Sequence, residues 1–136
     1  IKDMRYKIQD ISYISYSGGD MSTDSILKQK SLEFAKRVVR LYQHLCQDQH
    51  EHVMSKQVLR SGTSIGANVA EAIYGSSRKD FVAKLQISQK EAAETLYWLE
   101  LLNSCSYIPD DLYRSLSGDC KELLALLAAT IKSCSQ

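Results

Sequence analysis

Very few residues in this sequence break a helix. One proline, Pro109, and six glycines occur among 136 residues, so long stretches can stay helical without interruption. No run of about 18 or more apolar residues occurs, and no membrane-spanning helix or membrane partner is expected. The first residues lack the apolar core of a secretory signal. Because Ile1 is not a natural start residue, we expect a fragment or a true start elsewhere, with Met21 as a plausible internal start.

The sequence also lacks paired cysteine motifs and a strong charge of one sign. None of the four cysteines forms a CxxC pair, so we expect free thiols and a cytoplasmic protein. The net charge of +1 is too small to indicate a nucleic-acid partner by itself. Its distribution is uneven, because residues 25–64 carry seven basic and three acidic groups, whereas residues 65–136 carry seven and nine.

Apolar residues recur at spacings of three and four along four segments, which is typical of helices with one buried face. We expect helices over residues 24 or 25 to 46, 53–74, 77 to 103 or 105, and from about 109 onward. Short connections make consecutive helices antiparallel. The sequence therefore predicts an all-α protein, an antiparallel up-down-up-down four-helix bundle over residues 25–136, with residues 1–24 as an N-terminal tail or arm.

Local signals set the expected ends and contacts of these helices. Thr23 or Asp24 can cap the first helix, and Gly75 suits a left-handed position after the second. Ser77 to Asp80 resembles a capping box, and Pro109 suits the first position of the fourth helix. The second helix contains two interior glycines, which predict close approach to a facing helix. They are Gly62 and Gly66.

A polar stripe runs beside the apolar face of the second helix. Ser61, Ser64, Asn68 and Glu71 follow one another at spacings of three, four and three, with Arg60 on the next edge. One interpretation is a polar seam between the second and third helices, in which Arg60 pairs with an acidic group of the third. The candidates for that pairing are Glu91 and Glu94. The other interpretation is a ligand or subunit-interface stripe.

The pattern of chemically active side chains indicates no enzyme. His44, Cys46, His50 and His52 lack the spacing of a metal site. The Glu-x-x-His motifs of di-iron bundles do not occur, and no serine has the sequence context of a nucleophile. We therefore expect no catalytic residues, no metal and no cofactor.

Two further features suggest contacts with partners. Tyr97 and Trp98 are adjacent on the third helix, so one can pack inside while the other reaches the surface or an interface. Ala35, Val39 and Tyr42 widen the apolar stripe of the first helix beyond one seam, which leaves apolar surface to bury between subunits. The first helix also carries basic residues that could contact nucleic acid. These are Lys30, Lys36, Arg37 and Arg40.

The order of several short motifs resembles a known family. They are Leu59-Arg60-Ser61, the run from Ser64 to Glu71, Phe81 through Leu85, Lys90-Glu91 and Glu94-Thr95. Together they make residues 25–132 similar to the four-helix-bundle proteins encoded in intervening sequences of bacterial 23S ribosomal RNA. The resemblance implies a bundle that assembles into a ring, often a homopentamer, without enzymatic activity.

Two functions follow as expectations from the residues and the resemblance. The first is a non-enzymatic oligomeric scaffold or interaction protein whose partner is itself or another protein. The alternative is a nucleic-acid-binding accessory protein. One branch of the family is the accessory protein of diversity-generating retroelements, which binds nucleic acid and the reverse transcriptase. Under that alternative, RNA or DNA or a reverse transcriptase would be the partner.

Overall fold

The computed structural model describes residues 22–75 and 77–135, and these residues form four α-helices and no strand. The helices are α1 (Thr23–Gln47), α2 (Met54–Ile73), α3 (Arg78–Ser104) and α4 (Asp110–Cys134). The all-α four-helix bundle predicted from the sequence is confirmed. The expected arm over residues 1–24 lies outside the described residues except for its last three.

Each helix packs on its neighbours along the chain, and α4 packs back on α1 to close the bundle. The contacts run in opposite directions along each pair, which shows the antiparallel arrangement. Along α1 and α2, for example, Val38 lies at Gly62 and Ser31 lies at Gly66. No described helix is long and apolar enough to cross a membrane.

The buried faces follow the apolar stripes of the sequence. Leu27, Phe34, Val38, Leu41 and Leu45 fill the core from α1. The other helices contribute equivalent rows, and a few small polar side chains lie among them. Those rows are Val58, Ile65, Val69 and Ala72 from α2, Leu85, Ala92, Leu99 and Leu102 from α3, and Leu112, Leu116, Cys120, Leu123 and Leu127 from α4.

The two glycines of α2 do allow close packing, and the facing helix is α1. A Cβ atom at Gly62 would lie 2.8 Å from both Cγ atoms of Val38. At Gly66 it would lie 3.3 Å from the backbone oxygen of Ser31. The backbones of α1 and α2 therefore approach more closely than larger residues would permit.

Several helix ends differ from the sequence prediction. Ser22, rather than Thr23 or Asp24, caps α1 by accepting a hydrogen bond from the backbone N–H of Ser25. Gly75 does not adopt the predicted left-handed conformation, because the backbone of Tyr74 already ends α2 with bonds to Ala70 and Ala72. Pro109 lies just before α4 instead of at its first position, while the Ser77 side chain caps α3 as predicted.

Candidate interaction surfaces

The polar stripe of α2 divides into a buried part and an exposed part. Ser61 is fully buried, and its Oγ accepts a hydrogen bond from Thr95 Oγ1 of α3 at 2.9 Å. Ser64 donates to the backbone oxygen of Arg60, and Asn68 donates to that of Ser64. Glu71 is exposed and lies 3.8 Å from Lys84 of α3. Ser61 and Glu71 therefore contact α3, whereas Ser64 and Asn68 bond to the backbone of α2 itself.

Arg60 joins α2 to α3 through two carboxylates, which is the predicted pairing. Its Nη1 donates to Glu91 at 3.1 Å, and its Nη2 donates to Glu94. The Arg60 side chain is 49% exposed, so these ion pairs contribute less than about 1 kcal/mol each. That is below the 1–3 kcal/mol expected for a site shielded from water.

Glu94 also holds an aromatic pair in place on the surface of α3. The indole N–H of Trp98 donates to Glu94 Oε2 at 3.0 Å. This bond lowers the pKa of Glu94 more than burial raises it, and Arg60 lowers it further. Trp98 packs against the core, whereas Tyr97 is 57% exposed. The centres of the two rings are 5.0 Å apart in an edge-to-face contact, so the Trp98 ring supports the exposed ring of Tyr97.

The surface around Tyr97 is acidic. Glu94 and Glu100 lie one turn before and after it, and α3 has no basic residue from Glu91 to its end at Ser104. Along α3 the nearest basic residue is Lys90, two turns before Tyr97, and from α2 the guanidinium of Arg60 contacts Glu94. We call Glu94, Tyr97, Trp98 and Glu100 the α3 patch.

The basic residues of α1 that were predicted to contact nucleic acid differ in their exposure. Arg37 is 1% exposed, and its guanidinium donates to Asp119 and Ser115 of α4. Lys30 pairs with Glu122, which also lies in α4. The prediction for Arg37 is wrong, because its side chain crosses the α1–α4 seam and is shielded from any external ligand.

The other two basic residues are more exposed than Arg37. Lys36 is exposed and contacts Glu33 at 2.8 Å, and Arg40 is half-buried. Burial lowers the pKa of Arg37, although the neighbouring Asp119 partly offsets that effect. The four residues therefore do not share one surface.

An apolar strip remains on the outer side of α1. Leu32 is 53% exposed and Val39 is 39% exposed, and Ala35 and Tyr42 are partly exposed beside them. These four residues, which we call the α1 patch, follow at spacings of three, four and three. That is the spacing with which one helix presents a face to another.

A shallow groove of about 250 Å³ lies beside this patch, between α1 and α2. Small residues form much of its floor because α1 and α2 approach closely at the glycines. Its lining consists of Lys28, Ser31, Leu32, Ala35, Thr63, Gly66, Ala67 and Ala70. At one end, the Lys28 ammonium lies 5.8 Å from the ring centre of the exposed Tyr74.

A structural residue that the sequence analysis missed lies in the connection before α2. Glu51 is buried, and its two carboxylate oxygens accept hydrogen bonds from the backbone N–H groups of Val53, Met54 and Ser55 at 2.7–2.9 Å. Burial would raise the pKa of Glu51, but these three donors together lower it. The signal that could have indicated this role is Val53 at the cap position of α2, because a valine side chain cannot cap a helix.

The cysteines and histidines form no metal centre in the described part of the chain. All four cysteines are free, and no three His, Cys, Asp or Glu residues of the described ranges converge on one point. His44 contacts Asp48 at 2.8 Å. Burial raises the pKa of the Cys120 thiol to about 12, and its Sγ donates to the backbone oxygen of Ala92.

The fold and these surfaces define a small helical-bundle protein with an exposed apolar patch on α1 and an exposed tyrosine among carboxylates on α3. Residues 23–129 match the model of the 23S rRNA-intervening sequence protein family. The chain belongs to this family, as the resemblance indicated.

Solved structures are similar to this chain, and one of them matches most of its length. It is the crystal structure of a protein with unknown function from the S23 ribosomal protein family of Bacteroides thetaiotaomicron VPI-5482. The two chains are 54% identical, with a TM-score of 0.81, and the match covers 82% of this chain and 99% of that one. The comparison with curated proteins finds no match.

Proposed function

We propose that this protein is a non-enzymatic scaffold that assembles from identical copies into a ring, with five subunits as the family resemblance implies. The observation that carries the proposal is the α1 patch. Leu32 and Val39 lie exposed at a helix-pairing spacing beside an apolar groove. Exposed contiguous apolar surface of this kind is typical of protein–protein contacts.

A second patch on a different helix favours a ring over a simple dimer. The α3 patch lies on α3, which packs on α2 and α4, whereas α1 packs on the same two helices from the other side. The two patches therefore lie on diagonally opposite helices of the bundle. Two different faces on one subunit are what a closed head-to-tail ring requires, because each copy must contact two neighbours.

Size-exclusion chromatography with light scattering, together with native mass spectrometry, tests the assembly. At micromolar concentration we expect a particle of about five times the 15.3 kDa chain mass, independent of moderate dilution. A monomer mass under these conditions would refute the proposal.

We further propose a cytoplasmic location, because the free cysteines suit a compartment in which thiols stay reduced.

Nucleic-acid binding has less support as the function. Lys30, Lys36 and Arg37 each contact a carboxylate of the same chain, which reduces the charge available for phosphates. Titration of generic RNA at several salt concentrations separates the two functions, because phosphate contacts weaken steeply with salt. Tight, salt-dependent binding by the parent protein would favour the accessory-protein alternative.

A further inference from the structure

We propose that the α1 patch and its groove on one copy receive the α3 patch of the next copy. This inference rests on the ring assembly proposed above, and it names the two surfaces that meet. Tyr97 is the central side chain of the contact, and Leu32 borders the groove that receives it. The occupant of the groove is therefore a second copy of this chain.

The shapes of the two surfaces are complementary. The groove has a floor of small residues, among them Gly66, Ala67 and Ala70, so it can admit a large side chain. Tyr97 projects from α3, and the edge-to-face contact with Trp98 limits its motion. Trp98 is itself bonded to Glu94. A rigid aromatic side chain loses little entropy on binding and is a common anchor of protein interfaces.

The charges are also complementary. Around the α1 patch lie the exposed ammonium groups of Lys28 and Lys36 and one carboxylate, that of Glu33, which leaves one net positive charge. Around Tyr97 lie three carboxylates, those of Glu91, Glu94 and Glu100. With the guanidinium of Arg60, which is paired to two of them, and the ammonium of Lys90 two turns before Tyr97, one net negative charge remains. Opposite net charges attract the two surfaces and orient them.

The same charges argue against contacts between identical patches. Two α1 patches facing each other would bring like positive charges together, and two α3 patches would bring like negative charges together. Juxtaposed like charges disfavour an interface. The structure therefore favours a heterologous contact between α1 and α3, which can continue from subunit to subunit until the ring closes.

Two variants that each damage one patch test this pairing. In Leu32→Asp, a carboxylate replaces an apolar side chain and would face the acidic α3 patch. In Tyr97→Asp, the aromatic anchor is lost. Both positions are more than half exposed, so the bundle should fold, as circular dichroism and thermal melts can verify. Ala128→Asp, at an exposed position of α4, is the matched control.

Each patch variant alone should have the mass of a monomer, whereas Ala128→Asp should keep the mass of the parent. An equimolar mixture of the two patch variants should form particles of twice the monomer mass, because one undamaged α1 patch and one undamaged α3 patch remain available. Retention of the parent mass by either folded variant would overturn the pairing while leaving the ring intact. Failure of the two monomers to combine would overturn it as well. A monomeric parent would instead refute the assembly itself.

Discussion

At the scale of single residues, Glu51 shows how one side chain outside a helix can fix where that helix begins. α2 has Val53 at its cap position, and a valine side chain cannot accept a hydrogen bond. The turn before it places His50 in a left-handed conformation, with φ of 53°. The chain then reverses so that the Glu51 carboxylate meets three N–H groups at the positive end of the helix dipole.

Replacing Glu51 with Gln should lower the free energy of unfolding by about 1–2 kcal/mol at pH 7, the range of a lost helix cap. The effect should depend on pH in a defined direction. Because the folded-state pKa of Glu51 is lowered, its contribution is present above the ordinary glutamate pKa of about 4.3. It is then lost as the pH falls through the lowered value.

Urea unfolding of the parent and Glu51→Gln between pH 3 and 7 measures this difference. The two stabilities should converge at the acid end of the series. Glu71→Gln is the matched control, because Glu71 is exposed and lies at 3.8 Å from its cation. It should change stability by only a few tenths of a kcal/mol. A difference for Glu51→Gln that persists unchanged at low pH would mean that charge is not the cause.

The two arginines show which residue contacts could be predicted from the sequence. The partners of Arg60 were predictable because α2 and α3 are joined by a short connection, which sets their relative register. The position of Arg37 was not predictable from local pattern. It lies one residue before Val38 of the buried stripe, and its burial depends on Asp119 and Ser115, far along the chain in α4.

At the scale of helices, the close contact between α1 and α2 depends on Gly62. Both Cγ atoms of Val38 occupy the space that a larger residue would need, and a β-branched side chain has little freedom to move away. The two interior glycines of α2 predicted a close approach, although periodicity alone does not say which helix is the neighbour. The ends of the helices were less predictable, because backbone bonds at Tyr74 replaced the expected cap at Gly75, and the Glu51 carboxylate caps α2 where no cap was predicted.

Gly62→Ala and Gly118→Ala should change stability in opposite directions. Alanine is the better helix former by about 1 kcal/mol. At Gly118, a Cβ atom would meet nothing within 4 Å, so the substitution should stabilise by about 0.5–1 kcal/mol. At Gly62, overpacking costs about 1–3 kcal/mol, and the net effect should be a loss of up to about 2 kcal/mol.

Thermal and urea unfolding of both variants checks this expectation. In a Val38→Ala background, where the two Cγ atoms are absent, Gly62→Ala should no longer destabilise. This coupling identifies the contact, because two substitutions that share one contact are not additive. If Gly62→Ala and Gly118→Ala raised the free energy of unfolding of the parent chain equally, α1 and α2 could move apart at Gly62 without losing stability.

At the scale of the whole molecule, the α1–α4 seam closes the bundle and contains a buried guanidinium, that of Arg37. It is bridged by Lys30 with Glu122 and by Arg37 with Asp119 and Ser115. The up-down topology followed from four apolar stripes and short connections. The ion pairs that bridge α1 and α4 could not be predicted in this way. They join residues of the first and last helices, whose relative positions are not set by any local spacing in the sequence.

The buried guanidinium makes this seam sensitive to the loss of its partner. Asp119→Leu would leave Arg37 charged and buried, with its Nε already without a hydrogen-bond partner. We expect a loss of about 3 kcal/mol in the free energy of unfolding, since removing one partner of a buried pair leaves an uncompensated charge. Lys30→Met is the matched control. Its pair with Glu122 is more exposed and should contribute less than about 1 kcal/mol.

The double variant Arg37→Leu with Asp119→Leu should recover most of the stability lost in Asp119→Leu, because apolar side chains can replace a buried ion pair at little cost. Urea unfolding of the two single variants and the double variant measures this recovery as a coupling energy. Equal instability of the double variant and Asp119→Leu would show that lost packing, rather than an unpaired charge, limits the seam. If Asp119→Leu were as stable as the parent, water or Ser115 would have to satisfy Arg37 alone. The Asp119 side chain is 32% exposed, so water can reach the seam at this position, and hydrogen exchange of the α1 and α4 amides in this variant would show whether the seam opens there.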